Sequence, residues 1–416
     1  MSLPVPVDGS QPLPCAAVHD ELIKRLARLV VEVGANVQAG QVVGISADPD
    51  AAPLVRAIAE ECYRRGARFV DTWYFDGYVK RSRLQHAPDE TLDYVPPWHA
   101  QRLLALGELQ AARIALHPIV PPGLLDDVDP GRAGKDALPA LKEGFEVINA
   151  GSTNWCVAPN PSTSWARIAY PELDPEAGLA RLWEDLVHVL RLDEPDPVAA
   201  WQERFAKLAA VGERLTERRF DSVRFEGPGT DLMLGLLPGS IFKGGAHETA
   251  WGLPFGPNLP TEEVTSAPDP TRADGVVTAT KPLDVGGAVV KGLRIRFEAG
   301  RAVEIDAEQN ADALRARCAR DEGAARLGEV ALVDREGRIG PLGRTFFNTL
   351  LDENAASHLA FGNAYDTCVD SEESRLRLNR SAIHLDFMFG GDEVSVTGIT
   401  KRGEHVPVLR GGSWQL

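Results

Sequence analysis

The chain has 416 residues, 44% hydrophobic and 25% charged, with 60 acidic against 44 basic side chains and a formal net charge of −16. That length predicts two or three domains, and the composition is that of a globular chain whose core is large enough to need no disulfides. The acidic balance argues against general affinity for nucleic acid or an anionic membrane surface, since both rest on clustered lysine and arginine.

The opening stretch MSLPVPVDGSQPLPC is proline-rich and predicts a loose arm over residues 1–15. It lacks a basic region followed by an apolar run, so no signal peptide is expected. No segment approaches the roughly 20 apolar residues of a membrane span. The five cysteines, at 15, 62, 156, 318 and 368, form no CxxC. They suggest neither a disulfide framework nor a thiolate zinc site. A cytoplasmic protein is the expectation.

Leu22, Leu26, Leu29, Val30 and Val33 recur at helical spacing and predict a helix over 19–33. QVVGISA (41–47) predicts a strand, 51–66 a helix stopped by Gly66, and ARFVDTWYFD (67–76) and ARIALHPIV (112–120) two further strands. Strands alternating with helices at this spacing predict βαβ units and a parallel sheet. Neither GxGxxG nor GxxxxGK[ST] occurs, so this half carries no nucleotide-binding hypothesis. Two amphipathic helices are predicted over 178–219, interrupted by LDEPDP (192–197). From about 220 onward, short β-like runs alternate with glycine-rich turns. The expected architecture is an α/β N-terminal domain with a largely parallel sheet over 16–205, and a mixed α+β C-terminal domain over 206–416.

The segment SAIHLDFMFGGDEV (381–394) concentrates chemistry on a strand. Alternation puts Ile383, Leu385, Phe387 and Phe389 on one face, suited to a core. Ala382, His384, Asp386 and Met388 share the other. An imidazole and a carboxylate there must pair with each other, with protein groups or with a metal. A His–Asp hydrogen bond at a core edge is the plain alternative, because His-x-Asp is a short pattern.

Four other places in the second half hold possible partners. NLPTEEVTSAP (258–268) carries Glu262 and Glu263, which face opposite sides if extended, so only one could enter a site; a solvated acidic turn would also explain them. LGEVALVD (327–334) carries Glu329, which could simply mark the exposed end of an apolar strand. NAASHLAFGNAYD (354–366) carries His358 on an expected helical turn over 354–360, with Tyr365 beyond it. In NRSAIH (379–384), Arg380 and Ser381 could donate hydrogen bonds to a ligand or a carboxylate. The remaining histidines, at 19, 86, 99, 117, 188, 247 and 405, read as surface or ordinary packing. Oxygen and nitrogen donors without sulfur do not resemble a closed structural zinc site. They match the needs of a pair of divalent ions with one carboxylate bridging, which could activate a water for attack on a carbonyl.

NLPTEEVTSAP, LGEVALVD, SHLAFGNAY and NRSAIHLDFMFGG follow one another as in the thermophilic-type metalloaminopeptidases, the aminopeptidase T and aminopeptidase S family, which this chain resembles over nearly its whole length. FEGPGTDLMLGL (225–236), VGANVQAGQVVGIS and GARFVDTWYFD also resemble that family. The resemblance implies a binuclear metal site in the C-terminal domain with Glu263, Glu329, His358, His384 and Asp386 on the ligand positions. It also selects Glu263 over Glu262, and places Tyr365 on the family's site tyrosine. It implies release of N-terminal residues from peptides with a free N-terminus, a homodimer, and loose metal identity among zinc, cobalt, manganese and magnesium. Glu329 and Tyr365 are the catalytic candidates, for proton shuttling and oxyanion support. Two departures stand out: Thr265 where the family more often has Phe, and LDFMFGG around the aspartate. Neither is expected to touch a ligand, though both could reshape the pocket. Two alternatives stay open: a mononuclear-iron ring-cleaving dioxygenase of the related dihydroxypyridine type, and a non-catalytic binding protein of the same fold.

Overall fold

The computed structural model describes residues 15–416. The expected arm therefore lies outside the described residues, apart from Cys15, which opens the first helix (Cys15–Leu29). No helix among the described residues is long and apolar enough to cross a membrane.

The N-terminal half is built on a four-stranded parallel sheet. Its strands run Phe69–Tyr74, Val42–Ala47, Ala112–His117 and Trp155–Pro159 in spatial order. Helices fill the connections, as the strand–helix alternation predicts. The third predicted strand ends early, at His117, because Pro118 has no N–H to extend the ladder. Trp155–Pro159 was not among the predicted strands. Burial alternates along Ala112–His117: Ala112, Ile114 and Leu116 enter the core, whereas Arg113, Ala115 and His117 turn to the opposite face.

LDEPDP separates two helices, Pro175–Val189 and Pro197–Arg218. Both begin with a proline after an aspartate whose side chain accepts the first free N–H groups: Asp174 from Glu176 and Ala177, Asp196 from Val198 and Ala199. The second helix connects two hydrophobic cores. Trp201 and Phe205 pack into the first and Leu208 and Leu215 into the second. The first core also takes Leu259, Ile339, Phe346, Leu350 and Leu351 from the later sequence.

The C-terminal half holds an eight-stranded antiparallel sheet and a five-stranded sheet. In the latter, the order is His384–Met388, His358–Gly362, Leu327–Val333, Glu263–Ser266 and Lys243–Gly244. Ile383, Phe387 and Phe389 join the second core and Leu385 packs against it, as alternation predicts. Gly362 ends its strand at φ +93°, and a Cβ there would lie 2.2 Å from the Ile383 carbonyl oxygen, so the strands close up only over glycine.

Candidate functional site

Four strands of the five-stranded sheet bring the candidate side chains to one face. Alternation gives that face Glu263 and Thr265, Glu329 and Ala331, His358 and Ala360, and His384 and Asp386. The antiparallel register sets Thr265 opposite Ala331 and Ala331 opposite His358, while Ala360 lies between Glu329 and Asp386. Alanine at both central positions leaves the middle of the face open to the longer side chains around it.

His358 Nε2 lies 3.1 Å from Glu263 Oε2 and 3.9 Å from Asp386 Oδ1. His384 Nε2 lies 2.9 Å from Glu329 Oε2 and 3.5 Å from Asp386 Oδ1. The donor atoms form two groups, Glu263–Glu329–His358 and Glu329–His384–Asp386, each within 4.8 Å, and the groups share Glu329. Thr265 Oγ1 donates a hydrogen bond to the other Glu329 oxygen, Oε1.

The second ring nitrogen of each histidine decides what this face is suited to hold. His358 Nδ1 faces the Ala356 carbonyl at 3.3 Å and His384 Nδ1 the Asn363 carbonyl at 2.8 Å. A carbonyl only accepts, so each ring keeps its hydrogen on Nδ1 and turns Nε2 toward carboxylates. A neutral Nε2 and a carboxylate then present lone pairs to each other, and the gap calls for a proton or a cation. Glu263 Oε2 is buried and lacks a hydrogen-bond donor. Without a cation the imbalance appears in the proton affinities. Burial opposes charging His358, but the Glu263 contact and the charges of Glu263, Asp386 and Glu353 outweigh it and push the ring up to about 10. His384 is likewise raised well above its ordinary value, against burial, by Tyr365, Asp386 and Glu329. Burial raises Glu263, while Asp386 is lowered because His384 overcomes its burial. Three carboxylates and two Nδ1-anchored imidazoles, with no sulfur, fit divalent cations chemically.

The Tyr365 ring centroid lies 4.9 Å from that of His384, and burial raises its phenol, which stays protonated. All these groups open onto one cavity of about 730 Å³, walled on the far side by the parallel sheet.

Several sequence expectations need correction. Glu263 and Glu262 do not form a solvated turn: Glu262 is fully buried, ion-paired with Arg204 and, at 3.0 Å, with Arg191. Glu329 does not mark an exposed strand end; it is only 5% exposed, because its strand is flanked on both edges and covered on both faces. His358 lies on a strand. The helical turn is confined to Glu353–Ala355, since pairing with two neighbouring strands overrides the helix propensity of the alanines. Arg380 and Ser381 do reach carboxylates, as expected, but not those of the cluster: Arg380 pairs with Asp366 at 2.6 Å and Ser381 donates to Asp321 at 3.0 Å. Thr265 does touch a candidate ligand, Glu329.

Sequence reasoning also missed Glu353, His117 and His247, which line the same cavity. Glu353 Oε1 accepts from Asn258 at 3.3 Å and from Asn354 at 3.4 Å. Burial, then Asp386 and Glu263, raise it well above the carboxylate range. The only signal for it was its place five residues before His358.

With this geometry in hand, similarity to known proteins becomes informative. Residues 19–414 match the family described as thermophilic metalloprotease (M29). The chain belongs to that family. It is 41% identical over 399 residues to aminopeptidase T of Thermus thermophilus, covering 94% of this chain and 98% of that one. It is 37% identical over 402 residues to aminopeptidase 2 of Geobacillus stearothermophilus, covering 94% and 97%. A solved structure of wild-type AmpT from Thermus thermophilus superposes with a TM-score of 0.84 at 40% identity, covering 95% of this chain and 99% of that chain. The α/β N-terminal half and sheet-rich C-terminal half are thus the family's fold.

Proposed function

We propose that this M29 chain is a metal-dependent aminopeptidase releasing N-terminal residues from peptides, with two divalent cations held by Glu263, Glu329, His358, His384 and Asp386. One observation carries the reading: two donor groups share Glu329 and face one large cavity, in a chain whose named relatives are aminopeptidases. The dioxygenase and non-catalytic readings gain no support from these relatives.

When bound, such cations supply Lewis-acid polarisation of a carbonyl and a water of lowered pKa. The chain's own residues do the rest. His358 and His384, fixed through Nδ1, present Nε2 lone pairs. Glu329, touching both donor groups, holds a proton in transit to the leaving amine. The Tyr365 hydroxyl donates to the developing oxyanion. The parallel sheet wall excludes bulk water from the far side of the cavity.

The reading includes peptides with a free N-terminus as substrates and zinc, cobalt, manganese or magnesium as the ions. It also includes a homodimer, a cytoplasmic location, and units spanning 16–205 and 206–416. Hydrolysis of aminoacyl-p-nitroanilides, with chelator and with added Co²⁺ or Zn²⁺, tests it. Turnover abolished by chelator and restored by metal supports the reading; chelator-resistant turnover, or none under any metal, defeats it.

A further inference from the structure

The cavity wall also carries a cation. Arg113 projects into it from the Ala112–His117 strand, on the face shared with Ala115 and His117. Among the described residues, the only hydrogen bond of its guanidinium is from Nη1 to the Gly144 carbonyl, at 3.5 Å. No carboxylate among the described residues pairs with it. Its charged neighbour is another cation, Arg102, which is itself occupied by Asp71 at 2.7 Å. Burial and Arg102 push the Arg113 guanidinium down to about 10, so it stays charged at neutral pH. Two other arginines on the wall are engaged: Arg320 donates to the Gly134 carbonyl at 2.8 Å, and Arg317 is flanked by Asp136 and Asp284. Lys142 and Lys243 also line the cavity, but a compact ammonium lacks the planar fork that matches a carboxylate. A partly buried guanidinium with no counterion is costly, and a ligand carboxylate, matched to its fork by two parallel hydrogen bonds, would remove the cost.

The same cavity is therefore lined by a carboxylate cluster and by a guanidinium without a carboxylate partner among the described residues. A short peptide is a zwitterion with the complementary ends. The spacing also suits one. Arg113 touches Gly144, and the next residue, Phe145, places its ring centroid 6.3 Å from that of His384. That path is on the order of 10–15 Å, which an extended chain covers in about three to four residues.

We propose that Arg113 binds the C-terminal carboxylate of peptides of about three to four residues whose N-terminus lies at the Glu263–Asp386 cluster, which makes the site selective for short free-acid peptides. This rests on the aminopeptidase reading and adds a substrate class to it.

Leu-Ala-Ala, its C-terminal amide and Leu-p-nitroanilide are the probes. The wild type should cleave the free acid over the amide by at least about tenfold in kcat/KM, the worth of one charge-assisted hydrogen bond, chiefly through KM. Arg113→Met should bring that ratio near one with anilide turnover unchanged, while Arg113→Lys keeps a preference for the acid. Equal cleavage of acid and amide by the wild type, or an undiminished preference in Arg113→Met, overturns the proposal. Cleavage of none of the three defeats the aminopeptidase reading instead. Calorimetric binding of the acid and amide then judges Arg113: tighter binding of the acid, lost in Arg113→Met, upholds the carboxylate contact, and equal binding refutes it.

Discussion

Glu262 and Glu263 are neighbours in the chain yet serve opposite sides of it. Glu262 is held by Arg204 and Arg191, and Glu263 reaches His358 Nε2 at 3.1 Å. Their loss should therefore read out differently. Glu262→Gln strips the main partner from buried Arg204 and should cost about 3–5 kcal/mol in chemical denaturation, with metal content per folded chain retained. Glu263→Gln should lose metal while the metal-free protein keeps its stability within about 1 kcal/mol. The reverse pattern would exchange their roles.

Thr265 should act through Glu329. Its hydroxyl fixes the carboxylate that both donor groups share. Thr265→Val removes that hydrogen bond at nearly constant volume, and metal affinity measured by competition with a chromogenic chelator should fall about 10–100-fold. Unchanged affinity would show that Glu329 needs no such support.

The Tyr365 ring is tilted by 49° beside that of His384. Tyr365→Phe should lower kcat by about 10²–10³, as for loss of one oxyanion donor, with metal content intact. Lost metal would recast the tyrosine as structural support for the cluster.

The pH dependence of stability has an assignable source outside the cluster. Burial holds His117 and His247 near 4, below the ordinary 6.5. Between 6.5 and 4 the unfolded chain binds more protons at these sites, so stability falls as pH drops through that window. Asp284, pushed by burial up to about 7, and Asp352, up to about 6, work in the opposite sense and add stability as pH falls. His117→Asn should therefore lose less stability than the wild type between pH 7 and pH 5. The difference is at most about 2 kcal/mol, reduced by the ring's partial exposure to the cavity. Parallel denaturation profiles would remove His117 from this account.

The fold was largely legible because its signals are local. Strands 41–47, 67–76 and 112–120 are apolar runs between helices with clear stops, and LDEPDP marks the break between the two helices predicted over 178–219. Trp155–Pro159 was not legible: five residues with a proline carry no period, and only pairing with the Ala112–His117 strand makes them one. The donor residues could be picked out as chemistry, yet their convergence depends on register between strands distant in sequence. The choice between Glu262 and Glu263 likewise turns on arginines far upstream, which alternation does not see. His358 was misplaced on a helical turn because its neighbours are good helix formers and sheet pairing prevailed. Arg113 gave no signal, and Glu353 none beyond its place five residues before His358, since a lone charged residue becomes part of a cavity only through tertiary packing.

The central claim is that Glu263, Glu329, His358, His384 and Asp386 together hold a pair of cations. Elemental analysis of the purified protein, stripped with chelator and reloaded with Zn²⁺ or Co²⁺, tests it most directly when run beside folded His384→Ala and Asp386→Ala. The account predicts two ions per wild-type chain and a marked loss in both variants. A wild-type chain that takes up none, or variants that still bind two, would contradict it.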